Sequence, residues 1–217
     1  NLKSICEKSP TLVEANDMAA VQILSEKKIP FVCGPSLNIY NRHTLSLMQR
    51  KGAIRWVMPV ELSGSFLSDM LDKNEQGAVE NIEIEVFSYG HLPLAYSARC
   101  FTARHKKLPK DHCQFSCLSY PEGIPIQSQE QQALFTINGT QTQSADIYNL
   151  LPHVEEMKRT GVDIVRISPR YEGTNALIQR FRVAEQGTLI ESTINNNECN
   201  GYWFGKPGMD TIEGLRK

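Results

Sequence analysis

The sequence predicts an α/β protein built on a parallel sheet with helical crossovers. Two observations carry that expectation. Short apolar runs, β-branched or aromatic and stopped by Gly, Pro or polar residues, recur along the chain. Between them lie stretches whose apolar residues are three and four apart. Strand–helix–strand repetition of this kind buries both faces of a sheet whose neighbouring strands run the same way.

Leu12–Glu14, Pro30–Cys33, Arg55–Val57 and Ile82–Phe87 read as buried strands, and Met18–Lys27, Thr44–Arg50 and Phe66–Leu71 as the helices between them. Asp17 and Asn41 stand where an N-cap accepts a hydrogen bond from the first turn, and Gly52 where a helix stops. Further on, Ala133–Asn138 alternates as a strand and Tyr148–Arg159 shows helical periodicity. Asp163–Ile167 is a buried run, and Ala176–Arg182 a further helix. Ile194–Lys217 is Asn/Gly-rich and reads as a surface tail, with Tyr202-Trp203-Phe204 docked on the body. With no low-complexity tract or linker, residues 1–217 read as one domain. Five or six strands are too few to close an eight-stranded barrel. No Gly-x-Gly-x-x-Gly or phosphate-cradling Gly-Lys-Ser/Thr loop follows any strand. The chain opens in mid-pattern, so an N-terminal part of the repeat is expected to be missing.

Composition narrows the class of protein. The 217 residues are 41% hydrophobic and 22% charged, with formal net charge −1, which is ordinary for a globular chain with a large core. Near-neutral charge gives no general reason to expect nucleic acid or an anionic membrane as partner. No apolar run approaches the ~20 residues that span a bilayer. The first ten residues hold no apolar signal core and no initiator Met. Six cysteines are too few for a disulfide scaffold, which points to a reducing cytoplasm.

Three of those cysteines, Cys100, Cys113 and Cys117, are spaced Cys-x12-Cys-x3-Cys in a basic, Pro-interrupted stretch. Thiols gathered in this way fit soft-metal ligation better than disulfide pairing. Arg99, Arg104, Lys106, Lys107 and Lys110 would offset the charge of a thiolate-ligated centre and favour the thiolate form. Three is one short of the four thiolates that an iron–sulfur cluster or structural zinc takes. The alternative is three unrelated small core residues. His91, His105 and His112 flank the thiols, but nothing in the spacing selects a Cys/His nucleophilic pair. No catalytic residue is singled out.

Other candidates are dispersed. Cys33 lies inside a strand and is expected in the core. Cys199, in a turn, reads as an exposed thiol or a reserve ligand. Glu14, Glu61 and Glu85 fall at or near the C-terminal ends of strands, where an α/β barrel gathers its site, and Asn38 and Tyr40 point to the same face. Each is otherwise an ordinary loop or capping residue.

The run from Glu85 to Arg104, EVFSYGHLPLAYSARCFTAR, resembles the signature segment of the peptidase U32 family, and more closely that of its ubiquinone-biosynthesis members. Further matches are Arg55–Ser63, Asn138-Gly139-x-Gln141-Thr142, Val162–Pro169 and Cys199-Asn200-Gly201-Tyr202-Trp203. The likeness extends through essentially the whole chain, as the C-terminal three quarters or so of the family's length. It implies a TIM-barrel-like fold, incomplete at the N-terminus, and a [4Fe–4S] cluster held by four cysteines. The last three of those ligands carry over onto Cys100, Cys113 and Cys117; the first belongs to a region with no counterpart here. The resemblance also implies oxygen-independent ring hydroxylation in ubiquinone biosynthesis, ubiquinone-pathway intermediates as ligands, and a UbiU-like protein as heterodimer partner. The family's label implies proteolysis instead, which no constellation here supports; a non-catalytic iron–sulfur scaffold is the third reading.

Overall fold

The computed structural model describes residues 12–72, 79, 81–187 and 197–212, with Ser4 and Cys6. In chain order its elements are β1 (Val13–Ala15), α1 (Met18–Glu26), β2 (Phe31–Cys33), α2 (Arg42–Arg50), β3 (Ala53–Val57), α3 (Gly64–Leu71) and β4 (Glu83–Tyr96). They continue as α4 (Phe101–His105), β5 (Ile124–Gln127), β6 (Ala133–Asn138), β7 (Gln141–Asn149), α5 (Val154–Thr160), β8 (Ile164–Ile167), α6 (Thr174–Glu185) and β9 (Glu198–Cys199). The chain forms two compact units. One holds the described residues up to Phe87 with Glu155–Arg166 and Tyr202–Lys206; the other holds Ser88–Val154 and the described remainder.

The first unit is the predicted α/β repeat. Strands β1, β2, β3 and the start of β4 pair in parallel. Each crossover helix starts where a short polar side chain caps it. Asp17 accepts from the Ala20 amide at 2.8 Å, Asn41 from Thr44 at 2.8 Å, and Ser63 from Phe66 at 3.1 Å. The buried stripes, Val21 with Leu24 and Leu45 with Met48, repeat three apart. They cover a core containing Phe31, Cys33, Trp56 and Ile84. Strand β8 pairs with β4 on the side away from β3. This parallel β/α repeat is TIM-barrel-like.

The second unit is mainly antiparallel. The latter part of β4 pairs with β7, β7 with β6, and β6 with β5, while β9 adds to β7 in parallel. Here the sequence reading needs correction. The helix expected over Tyr148–Arg159 begins only at Val154, because Tyr148 and Asn149 end β7 and Leu151–His153 is a 3-10 turn. Tyr148, Leu151, Val154 and Met157 are all buried, so one apolar spacing runs unbroken through three conformations. Pro152 sits in the first turn of that 3-10 segment, where its missing N–H costs no bond, and the α-helix follows from Val154. The tail is anchored: Asn200 is fully buried and its side chain bonds both the amide and the carbonyl of Ile212. Trp203 is 2% exposed and docks as expected. Residues 194–196 and 213–217 of that expected tail lie outside the described residues. No described helix is long and apolar enough to cross a membrane.

Candidate functional site

Three features hold the candidate residues. The first is a charge network in the first unit. Arg166, on β8, donates to Glu14 on β1 and to Glu85 on β4, each at 2.5 Å. Arg55, on β3, reaches Glu83 at 2.8 Å and Glu85 at 3.3 Å. Glu85 is buried, which an ionised carboxylate tolerates only with such partners. Strands in one sheet lie about 4.8 Å apart, so β8 and β1, four spacings from each other, would be about 19 Å apart if the sheet were flat. The Arg166–Glu14 contact therefore requires the sheet of this unit to curl, as a barrel wall does. Burial opposes ionisation of Glu14, but the hydrogen bonds from Arg166 and Asn16 outweigh it and hold its carboxyl below the ordinary range. Burial likewise opposes the charge on Arg166, and the two carboxylates overcome it, raising its pKa. Nearby, the Tyr40 hydroxyl donates to Glu61. That bond, with some burial, pushes its pKa up to about 12.

The sequence-predicted acids thus fall into two sets, Glu14 with Glu85 and Glu61 with Tyr40. Asn38 ends the short 3-10 turn before Tyr40 in a left-handed conformation, with φ 53°. The arginines that join the first set were missed. Their signal was present, since a lone Arg inside a buried strand, as in Ile164-Val165-Arg166-Ile167, demands an interior partner.

The second feature is the thiol segment. Cys100 caps α4, its sulfur accepting from the Ala103 amide at 3.5 Å. Cys113 closes the 3-10 turn Lys110–His112 and is half-buried, and Cys117 is exposed in the turn Ser116–Ser119. Between them Gln114 and Phe115 adopt left-handed conformations (φ 52° and 51°), costly for residues with side chains of this size. The ammonium of Lys106 lies 5.1 Å from the Tyr120 ring centre. Among the described residues no three His, Cys, Asp or Glu side chains are grouped so as to hold a metal ion. The three thiols share one segment but, as arranged, do not form a ready cage. Cys199 is corrected from an exposed thiol to a buried one in β9. Burial, then the charges of Asp146 and Glu198, push its pKa up to about 12, which disfavours the thiolate that ligation needs. Cys33 is buried as expected, and burial alone pushes it up to about 12.

The third feature is a cavity of about 60 Å³ within the second unit. Tyr89, Gly90 and His91 of β4, Gln143 of β7, and Ser168–Tyr171 after β8 contribute to its wall. Of these, Tyr89, Gly90 and His91 fall in one segment of the resemblance described above and Ser168 and Pro169 in another.

A curled parallel β/α wall with an internal ion-pair network and a cysteine-bearing basic segment defines a TIM-barrel-like α/β protein. The model of peptidase family U32 matches residues 1–201, and the chain belongs to that family. It is similar to tRNA hydroxylation protein P of Escherichia coli (strain K12), with 28% identity over 261 aligned positions covering 99% of this chain and 55% of that protein. The chain thus spans about half the length of this curated relative. No solved structure matches it.

Proposed function

We propose that this chain is part of an iron–sulfur protein required for oxygen-independent hydroxylation, and that its substrate is an aromatic ring of the ubiquinone pathway. That role would be like that of the ubiquinone-biosynthesis protein UbiV, with a UbiU-like partner. The observation that carries the hydroxylation reading is the family match over residues 1–201 together with a relative named for hydroxylation. The likeness of Glu85–Arg104 to the ubiquinone-biosynthesis members supports the finer choice of substrate. Cys100, Cys113 and Cys117 are the proposed cluster ligands. Because they are not gathered in the present arrangement, cluster binding would have to draw the 100–117 segment together.

A second reading has its own support. The relative's name refers to tRNA. The segment from Arg99 to Tyr120 also carries five Lys or Arg against one carboxylate, Asp111, in a chain of net charge −1. Cations beside exposed rings such as Phe115 suit phosphates and unstacked bases.

Cells dependent on the Cys113→Ala form of the complete protein should lose ubiquinone made without oxygen and keep that made with oxygen. Unchanged anaerobic ubiquinone, with loss of a modified tRNA nucleoside instead, would transfer the role to RNA. Peptide hydrolysis by the purified, metal-free protein would favour the peptidase reading, and loss of neither product the non-catalytic scaffold.

A further inference from the structure

The cavity of the second unit carries polar groups that the fold does not use. Tyr89 is 4% exposed and Gln143 8%. The Tyr89 ring packs edge-on against Phe181 at 6.4 Å, yet its hydroxyl has no hydrogen-bond partner among the described residues. Gln143 donates its amide to Gln141 at 2.8 Å, which leaves its carbonyl oxygen without a partner there. Both residues line the cavity, so these groups stand open to pairing with an occupant.

His91 adds a third such group. Its Nδ1 lies 2.9 Å from the Ser144 carbonyl, and a carbonyl can only accept. The proton of the neutral ring is therefore fixed on Nδ1, leaving Nε2 as an acceptor. Gly90, between these residues with φ 129°, takes a backbone conformation that side chains rarely adopt. Glu122 and Arg170 complete the set, and neither forms an ion pair among the described residues.

The mixture of groups selects the ligand. A bare carboxylate would suit Arg170 and be opposed by Glu122; an ammonium would meet the reverse. A hydroxyl both donates and accepts, so a neutral group carrying two hydroxyls can pair with two of these acceptors and with both donors. About 60 Å³ holds roughly four or five water positions, enough for two adjacent hydroxyls and the edge of a ring. The exposed ring of Tyr171 offers a flat face for the remainder. We propose that this cavity binds a pair of adjacent hydroxyl groups, those of a catechol, with Gln143 and His91 accepting their two protons and Tyr89 and Arg170 donating. The choice of catechol rests on the hydroxylation reading, since hydroxylating a phenol beside its own hydroxyl yields one; a ribose presents the same paired hydroxyls.

The test is calorimetric titration of the 217-residue chain with catechol, phenol and ribose, without oxygen. Catechol should bind about tenfold more tightly than phenol, and Gln143→Ala and Arg170→Met should each weaken it roughly fivefold, the loss of one hydrogen bond. Arg170 is exposed, so its substitution reads the site even if the buried Gln143 change impairs folding. Ribose binding more tightly than catechol would keep the paired-hydroxyl site and overturn the catechol assignment. Equal binding of phenol and catechol, or no binding of any of the three, would overturn the proposal. The titration reads binding alone, so its failure leaves the ubiquinone measurement intact, and the reverse holds too.

Discussion

Arg166 is the residue on which most of the first unit's internal polarity depends. It serves two carboxylates at once, and Glu85 is 5% exposed. Removing one partner of a buried pair usually costs 3–5 kcal/mol. Here Arg166 is a third exposed and Glu85 keeps Arg55, so Arg166→Met should cost about 2 kcal/mol at neutral pH in urea unfolding. The pH dependence follows from Glu14. Its folded pKa is below the ordinary 4.5, so its contribution is fully present above about pH 4.5 and is lost as pH falls through the folded value. The gap between the parent chain and Arg166→Met should therefore narrow on acidification below that point. A gap that stays constant to pH 3 would mean that Arg166 acts through packing rather than charge.

Among the elements, α3 shows how a local rule is reversed by packing. Gly64 opens that helix, where replacement by alanine normally stabilises through the unfolded chain. A Cβ at this position would stand 2.7 Å from the Trp203 indole. The indole is held in place by its N–H, which donates to Glu156 on α5 at 3.1 Å. Gly64→Ala should consequently destabilise by about 1–3 kcal/mol, with a shifted Trp fluorescence. A neutral or stabilising result would show that the indole can move aside. The elements most legible in the sequence are those of the first unit, where capping residues and apolar spacing agree: Asp17, Asn41 and Gly52 all stand where the sequence places them. Strands β5 and β7 were not legible. Gln141-Thr142-Gln143-Ser144 has no apolar alternation, because its pairing is driven by neighbouring backbone rather than by a buried face. Even β9 is only two residues long and inherits its place from β7.

At the scale of the whole chain, the site was legible in part. Glu14, Glu61 and Tyr40 were visible as polar groups at or soon after strand ends, but Glu85, expected at a C-terminal end, is the third residue of the long strand β4, because the pairing with β7 carries that strand on to Tyr96. The arginine joining Glu14 to Glu85 lies 152 residues away from Glu14, a separation no local pattern encodes. The thiol spacing was plain in the sequence, yet spacing does not determine whether sulfur atoms converge, and among the described residues they are not grouped as a metal site. In the proposed function these thiols nonetheless hold an iron–sulfur cluster in a hydroxylation protein. The direct measurement is iron and acid-labile sulfide in protein purified without oxygen, beside a variant with Cys100, Cys113 and Cys117 all changed to Ser. Iron and sulfide in similar amounts are expected, with visible absorption that the triple variant lacks. Equal iron and sulfide in the two proteins, or none in either after anaerobic reconstitution, would contradict that function.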